Sequence, residues 1–229
     1  MSEEYFTSQT TSEEPRGYYA SEGRQSFSTP LAGVSSGRLE FERGVANVRI
    51  SSEADMPDLI RARFDGVIPR IVAEGGEISI RYPHYSFFDW LRYAMVWEQQ
   101  NARLLLNSTV PWDIAVNGGL SRLQADIREV RLRSFTVHGG ASSVYLRLGT
   151  PEGNAPVRIF GGASHLVIFR PVGVAARLHV HGGVSSVTLD DQHFSAIGGG
   201  TLLRSTIDSA DRYDVEIYGG ASVVTVATE

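Results

Sequence analysis

The chain has 229 residues, of which 42% are hydrophobic and 21% charged: enough apolar material for a sizeable core, and too much for wholesale disorder. A formal net charge of −5 lacks the basic surplus that nucleic-acid binders carry, so no nucleic-acid partner is expected. The chain contains no cysteine, which removes disulfides, thiolate nucleophiles and Cys-ligated metals together.

Residues 1–36 are rich in Ser, Thr, Glu, Gly and Tyr and show no sustained period of 2 or 3.6, which predicts a flexible N-terminal tail. Tyr5, Tyr18 and Tyr19 are its residues suited to dock on the body or on a partner. No basic stretch followed by an apolar run marks a secretory signal, and no apolar run reaches the ~18–20 residues of a membrane span. These features predict a cytoplasmic protein, with peripheral envelope association as the alternative.

A solenoid domain is expected over residues 37–229, opening with a degenerate repeat, "LEFERGVANVRI", in which Leu39 and Phe41 precede a glycine turn and Val48 and Ile50 follow it. Residues 82–106, "YPHYSFFDWLRYAMVWEQQNARLLL", interrupt the pattern with an aromatic insertion. Phe87, Phe88, Trp90, Tyr93 and Trp97 make it a candidate lid or protein interface; its basic residues are too few for a membrane-surface helix.

Repetition then dominates. Glycine pairs fall at 118–119, 139–140, 161–162, 182–183, 198–199 and 219–220, spaced by 21, 22, 21, 16 and 21 residues. The fourth and second residues before each pair are apolar throughout, as in Ile114/Val116, Phe135/Val137, Val157/Ile159, Leu178/Val180, Phe194/Ala196 and Val215/Ile217. That alternation is the mark of a half-buried strand. A hydroxyl follows each pair (Ser121, Ser142, Ser164, Ser185, Thr201, Ser222), and alternation then resumes. A unit of ~21 residues cannot bury its apolar face alone, whereas stacked units close a continuous core. The expected fold is all-β: a single-stranded, right-handed parallel β-helix, or β-solenoid. In that picture the glycines serve a corner that needs φ > 0.

The recurrent "GGAS-x-V-x-L" corners, "NSTVPWDIAVNGG", and "FRPVGVAARLHVHGG" leading into "LDDQHFSAIGGG" resemble bacterial adhesin-type β-solenoid domains of unknown function. The resemblance covers roughly residues 38–229 and implies the fold; it transfers no catalytic residue.

Outward positions before the pairs are the place to look for chemistry. They are Ala115/Asn117, Thr136/His138, Arg158/Phe160, His179/His181, Ser195/Ile197 and Glu216/Tyr218, with one carboxylate among them. Glycoside chemistry needs a carboxylate pair, so this face is poor catalytic material. Asn117, His138, Arg158, Phe160, His179, His181, Glu216 and Tyr218 are instead candidates for a binding face. His138 and His181 are expected to be separated by the Phe160 rung, at ~9–10 Å, too far to share one Zn²⁺. His179 and His181 form a His-x-His without an evident third ligand, so neither a metal site nor a cofactor is predicted. Asp190, Asp191 and His193 meet at a corner, but consecutive strand residues face opposite ways.

The leading reading is a non-enzymatic, adhesin-like structural or interaction protein that presents a strand face to a protein or glycan partner. The alternative is a carbohydrate-active or metal-dependent enzyme on a β-helix face. A flat aromatic-polar strip is the expectation of the first reading, and a cleft with converged Asp, His and Arg that of the second. The last repeat, "YDVEIYGGASVVTVATE", reaches the C-terminus without a cap, which predicts a homo-oligomer joined through the solenoid ends.

Overall fold

In the computed structural model, which describes residues 19–21, 25–83 and 100–229, every regular element is a β-strand. The first seven are β1 (Tyr19–Ser21), β2 (Ser26–Pro30), β3 (Gly37–Phe41), β4 (Val45–Glu53), β5 (Asp58–Asp65), β6 (Arg70–Glu74) and β7 (Glu77–Arg81). The middle of the chain contributes β8 (Asn101–Asn107), β9 (Trp112–Val116), β10 (Leu120–Ile127), β11 (Leu132–Val137), β12 (Ala141–Leu148), β13 (Asn154–Ile159) and β14 (Ala163–Arg170). The last are β15 (Ala175–Val180), β16 (Val184–Leu189), β17 (Gln192–Ile197), β18 (Thr201–Arg204), β19 (Arg212–Ile217) and β20 (Ala221–Thr228).

They form two ten-stranded sheets, neither closed into a barrel. Sheet A runs β1-β6-β7-β3-β9-β11-β13-β19-β15-β18, and sheet B runs β17-β16-β20-β14-β12-β10-β4-β8-β5-β2. Alternation explains the layering: in β12 the residues Val144, Leu146 and Leu148 are buried, while Ser143, Tyr145 and Arg147 between them face outward. Equivalent residues stack in register. Leu39, Ile114, Phe135, Val157, Val215 and Leu178 form one continuous buried column of sheet A. Val48, Leu123, Val144, Leu166, Val224 and Val187 form its counterpart in sheet B. Each such side chain contributes about 1.5–3 kcal/mol on leaving water, so the columns hold the two sheets together.

The expectation of one parallel helix is corrected at both ends. The central pairings are parallel, but β1–β6, β6–β7, β5–β8 and β2–β5 are antiparallel, as are β15–β18 and β16–β17. The sheets are therefore mixed. The glycine pair spaced by 16 residues belongs to such an end: β17 and β18 run back along β16 and β15, Phe194 is only half-buried and Ala196 is exposed.

The strands also stack out of chain order. The last repeat, β19 and β20, does not end the stack; β19 lies between β13 and β15, and β20 between β14 and β16. Its slot is keyed locally. The Gly153 N–H donates to Asp211 Oδ1 (2.7 Å), Arg212 N–H donates to the Gly153 carbonyl (2.9 Å), and the buried Tyr213 hydroxyl donates to the Gly149 carbonyl (2.8 Å).

The glycines of the corners are needed for a different reason from the one expected. Gly118 has a positive φ of 113°, but Gly139, Gly161, Gly182 and Gly219 do not. What they share is close stacking. A Cβ on Gly139 would sit 2.1 Å from the Gly118 carbonyl oxygen, and one on Gly161 would sit 2.2 Å from that of Gly139. The clash repeats at Gly219 against Gly161 (2.4 Å) and at Gly182 against Gly219 (2.3 Å).

Two segment boundaries shift as well. Ser26–Pro30, inside the stretch expected as a tail, is strand β2 on the edge of sheet B, with Phe27 and Thr29 buried. Asn101–Asn107, which overlaps the end of the expected insertion at 82–106, is strand β8, paired with β4 and β5. Phe87, Phe88, Trp90, Tyr93 and Trp97 lie outside the described residues, as do Tyr5 and Tyr18. The "NSTVPW" motif closes the turn after β8: buried Asn107 donates to the Met56 (2.9 Å) and Asp58 (3.0 Å) carbonyls, and its own carbonyl accepts from Trp112 Nε1 (2.8 Å).

Candidate binding face

The eight residues singled out from the repeat all lie on the outer side of sheet A. Position one before the glycine pair places Asn117, His138, Phe160, Tyr218 and His181 side by side at the ends of β9, β11, β13, β19 and β15. Position three before it places Arg158, Glu216 and His179 in the adjacent column, in direct register.

Insertion of β19 changes what that column contains. The sequence order puts only Phe160 between His138 and His181, whereas in space both Phe160 and Tyr218 stand between them. The gap becomes three strand spacings, or ~14 Å. The four rings fill it as a ladder. Their centroids are 4.8 Å apart for His138–Phe160, 4.6 Å for Phe160–Tyr218 and 4.2 Å for Tyr218–His181, with planes within 3–10° of parallel. His179 tilts by 40° against His181 at 3.8 Å and closes one end. Near-parallel rings that follow the strand spacing stand on edge from the sheet. Their faces cover one another and their edges point to solvent.

Polar groups flank the ladder and fix it. The Tyr218 hydroxyl donates to Glu216 Oε2 (2.5 Å), and the Arg158 guanidinium lies 3.6 Å from Glu216 Oε1. The hydrogen bond to Glu216 holds the Tyr218 phenol above its ordinary pKa, with desolvation adding to it. Asn117 donates to Glu40 Oε1 (2.6 Å), and Glu42 accepts from both Ser79 and Arg81. The Ser79 bond is the largest influence lowering the Glu42 carboxyl, with Arg81 acting in the same direction.

Other candidates do not converge. Ser195 and Ile197 belong to β17 on sheet B, away from the ladder. Asp190 is bound through both carboxylate oxygens by buried Arg170, at 2.8 Å each, while His193 Nδ1 lies 3.1 Å from Thr188 Oγ1. Among the described residues no group of three His, Asp or Glu is placed to hold a metal. Ser142, Ser164 and Ser222 line a shallow groove of ≈510 Å³ along the glycine corner. One contributor to the ladder face was missed from sequence: exposed Leu202 on β18, opposite His179. Its repeat has the odd spacing of 16, the one available signal that this unit folds back.

The fold is an all-β, two-sheet domain with a row of stacked rings on the outer side of sheet A. The family model described as the N-terminal domain of toast_rack, DUF2154, matches residues 19–169, and the chain belongs to that family. That stretch includes His138 and Phe160, while His179, His181 and Tyr218 lie beyond it. The chain also resembles the crystal structure of a "putative cell adhesion protein" from Clostridium sporogenes ATCC 15579. The TM-score is 0.65 at 17% identity, over 93% of this chain and 100% of that one, a likeness of fold. No curated protein sequence matches the chain. No helix among the described residues is long and apolar enough to cross a membrane.

Proposed function

We propose that the chain is a non-enzymatic, adhesin-like interaction domain that docks a protein on the outer face of sheet A. Its parallel middle is read as a β-solenoid whose rungs stack out of chain order. The observation that carries the reading is the ring ladder. Of the exposed large hydrophobic residues described, Phe160, Tyr218 and Leu202 gather there, and only Val172 lies elsewhere, in the loop after β14. Clustered exposed apolar surface rimmed by polar groups is characteristic of an interaction site. Ring orientation favours a protein over a glycan: a sugar stacks on an open aromatic face, and here the faces are taken by neighbouring rings. Aromatic edges with a Glu216–Arg158 rim suit a protein surface. The adhesion description of the structural relative agrees with this class by analogy of fold.

The test places a photo-crosslinking side chain at position 160 and, in a second variant, at position 172, which is 77% exposed and equally apolar. A discrete protein adduct from 160 and none from 172, lost on Tyr218→Ser, is the expected result. Equal adducts from both positions, or none from 160, overturn the reading. Binding to a glycan array that is lost on Phe160→Ser replaces protein by glycan as the occupant.

A further inference from the structure

Sheet B carries a second surface of different chemistry. The chain has 21 arginines and no lysine, and five of the arginines meet on the outer side of β10, β4, β8 and β5. Arg49 is paired in register with Arg103, and Arg103 with Arg63, so three guanidinium groups occupy one row across adjacent strands. Like charges directly opposite one another destabilise a sheet. Successive strands lie ~4.8 Å apart, so the row is ~10 Å long, with Arg122 diagonal to Arg49 at one end and Arg61 two residues along β5 from Arg63 at the other. The carboxylates within this band do not balance it. Asp65 lies 3.2 Å from Arg103 and 3.9 Å from Arg63, and Asp58 binds Arg61 at 2.5 Å. Among the described residues, Arg49 donates only to the neutral Gln124 (3.3 Å) and Arg122 has no ion pair. Neighbouring Asp126 is already engaged by Arg128 (2.8 and 2.9 Å) and by Arg147 (3.8 Å). Among the described residues, five cations against two carboxylates make a local surplus of positive charge on a protein whose net charge is negative.

The surface is also shaped. Two shallow hollows of ≈450 and ≈600 Å³ share Arg49 and Arg103 as lining residues; Asn47, Asn101 and Arg122 line the first, Arg61 and Arg63 the second. Together they make a trough across the strands with guanidinium donors along its floor. Guanidinium forks match tetrahedral oxyanions in two-point hydrogen bonds. We propose that this arginine band binds a linear polyanion bearing phosphate or sulfate groups, which threads the trough and neutralises the in-register row. A lipid surface is the less suitable occupant. The exposed large hydrophobic residues described all lie off this band, so it offers no apolar side chain to insert among acyl chains.

The test titrates the full-length protein with fluorescent inorganic polyphosphate, with a heparin fragment, and with vesicles containing phosphatidylglycerol. Polyphosphate or heparin binding is expected, weakening steeply between low and physiological salt. Preference between the two soluble chains identifies phosphate or sulfate as the source. Arg49→Gln/Arg122→Gln is expected to weaken binding at least about tenfold, since charge-assisted contacts are lost. Its melting temperature should be equal or higher, because the variant relieves like-charge pairing, whereas arginines with a purely structural role would lower it. Arg122→Gln alone is the milder variant, with a smaller loss in the same direction. Unchanged binding in both variants overturns the proposal, as does binding to vesicles without binding to either soluble chain. Phe160→Ser leaves polyanion binding intact, which keeps this surface separable from the ring ladder.

Discussion

Arg170 is fully buried at the end of β14, and both its terminal nitrogens bind Asp190 at 2.8 Å. The two residues sit on either side of β20: Arg170 is in register with Thr228 and its carbonyl accepts from Glu229 N–H (3.0 Å), while Asp190 N–H donates to the Val226 carbonyl (2.9 Å). The pair thus straps the last strand into its slot. Asp190→Asn removes the countercharge while keeping a residue that tolerates the local φ of 53°. An uncompensated buried guanidinium costs about 3–5 kcal/mol. For a domain of this size each kcal/mol shifts the midpoint by roughly 2–4 °C, so a fall of about 10 °C is expected. Arg170→Met/Asp190→Asn should recover most of that loss, because the pair is replaced by groups with no charge to hydrate and the unpartnered Arg170 Nε is removed with it. Urea melts of the two variants give the free energies, and amide exchange locates them: residues 221–228 should lose protection first in Asp190→Asn. Equal losses in the single and double variants, or a loss below about 1 kcal/mol in Asp190→Asn, would refute the assignment of the strap.

Four further outcomes are expected. Gly161→Ala should abolish soluble folding, since its Cβ meets the Gly139 carbonyl at 2.2 Å, while Gly140→Ala is tolerated, its nearest neighbour being 3.8 Å away; expression and melting of the two distinguish stacking from backbone conformation. Tyr213→Phe should cost about 1 kcal/mol for the lost bond to Gly149, whereas Tyr82→Phe, whose hydroxyl has no partner among the described residues, should be neutral or stabilising. Burial raises both phenols above their ordinary value, so their contribution is intact below pH ~10 and lost as the pH rises through it; a urea midpoint that does not fall above that pH contradicts this. The stack ends in β17 and β18, each with one unpaired edge, so dimerisation through that end is proposed, and Leu202→Lys should shift light scattering towards monomer; a monomer at all concentrations removes the proposal.

How far the sequence could be read follows from what each residue pattern constrains. The alternation at Phe135/Val137 or Val215/Ile217 specifies a strand and its buried side, because only one phase of a period-2 pattern reaches the core. It says nothing of neighbours, since Val215 fits beside Val157 as well as Leu178 would. Repeats with interchangeable apolar columns leave rung order to local keys such as Asp211 and Tyr213, which carry no pattern of their own. The glycine pairs were legible as corners but not as contacts: a φ > 0 turn and a Cα packed on a neighbour's carbonyl both ask for a missing Cβ. Strand β2 escaped because "SFSTP" offers a single Phe and one buried Thr, too short an alternation to stand out.

Rung order also decides which residues build the ring ladder. Glu216 and Tyr218 come from the last repeat, and without them the ladder is broken between Phe160 and His181, two halves separated by an empty strand position. The slot for β19 is bounded by β13 on one side and β15 on the other. The ring ladder therefore depends on β19 filling that slot, since Tyr218 is the ring that links Phe160 to His181.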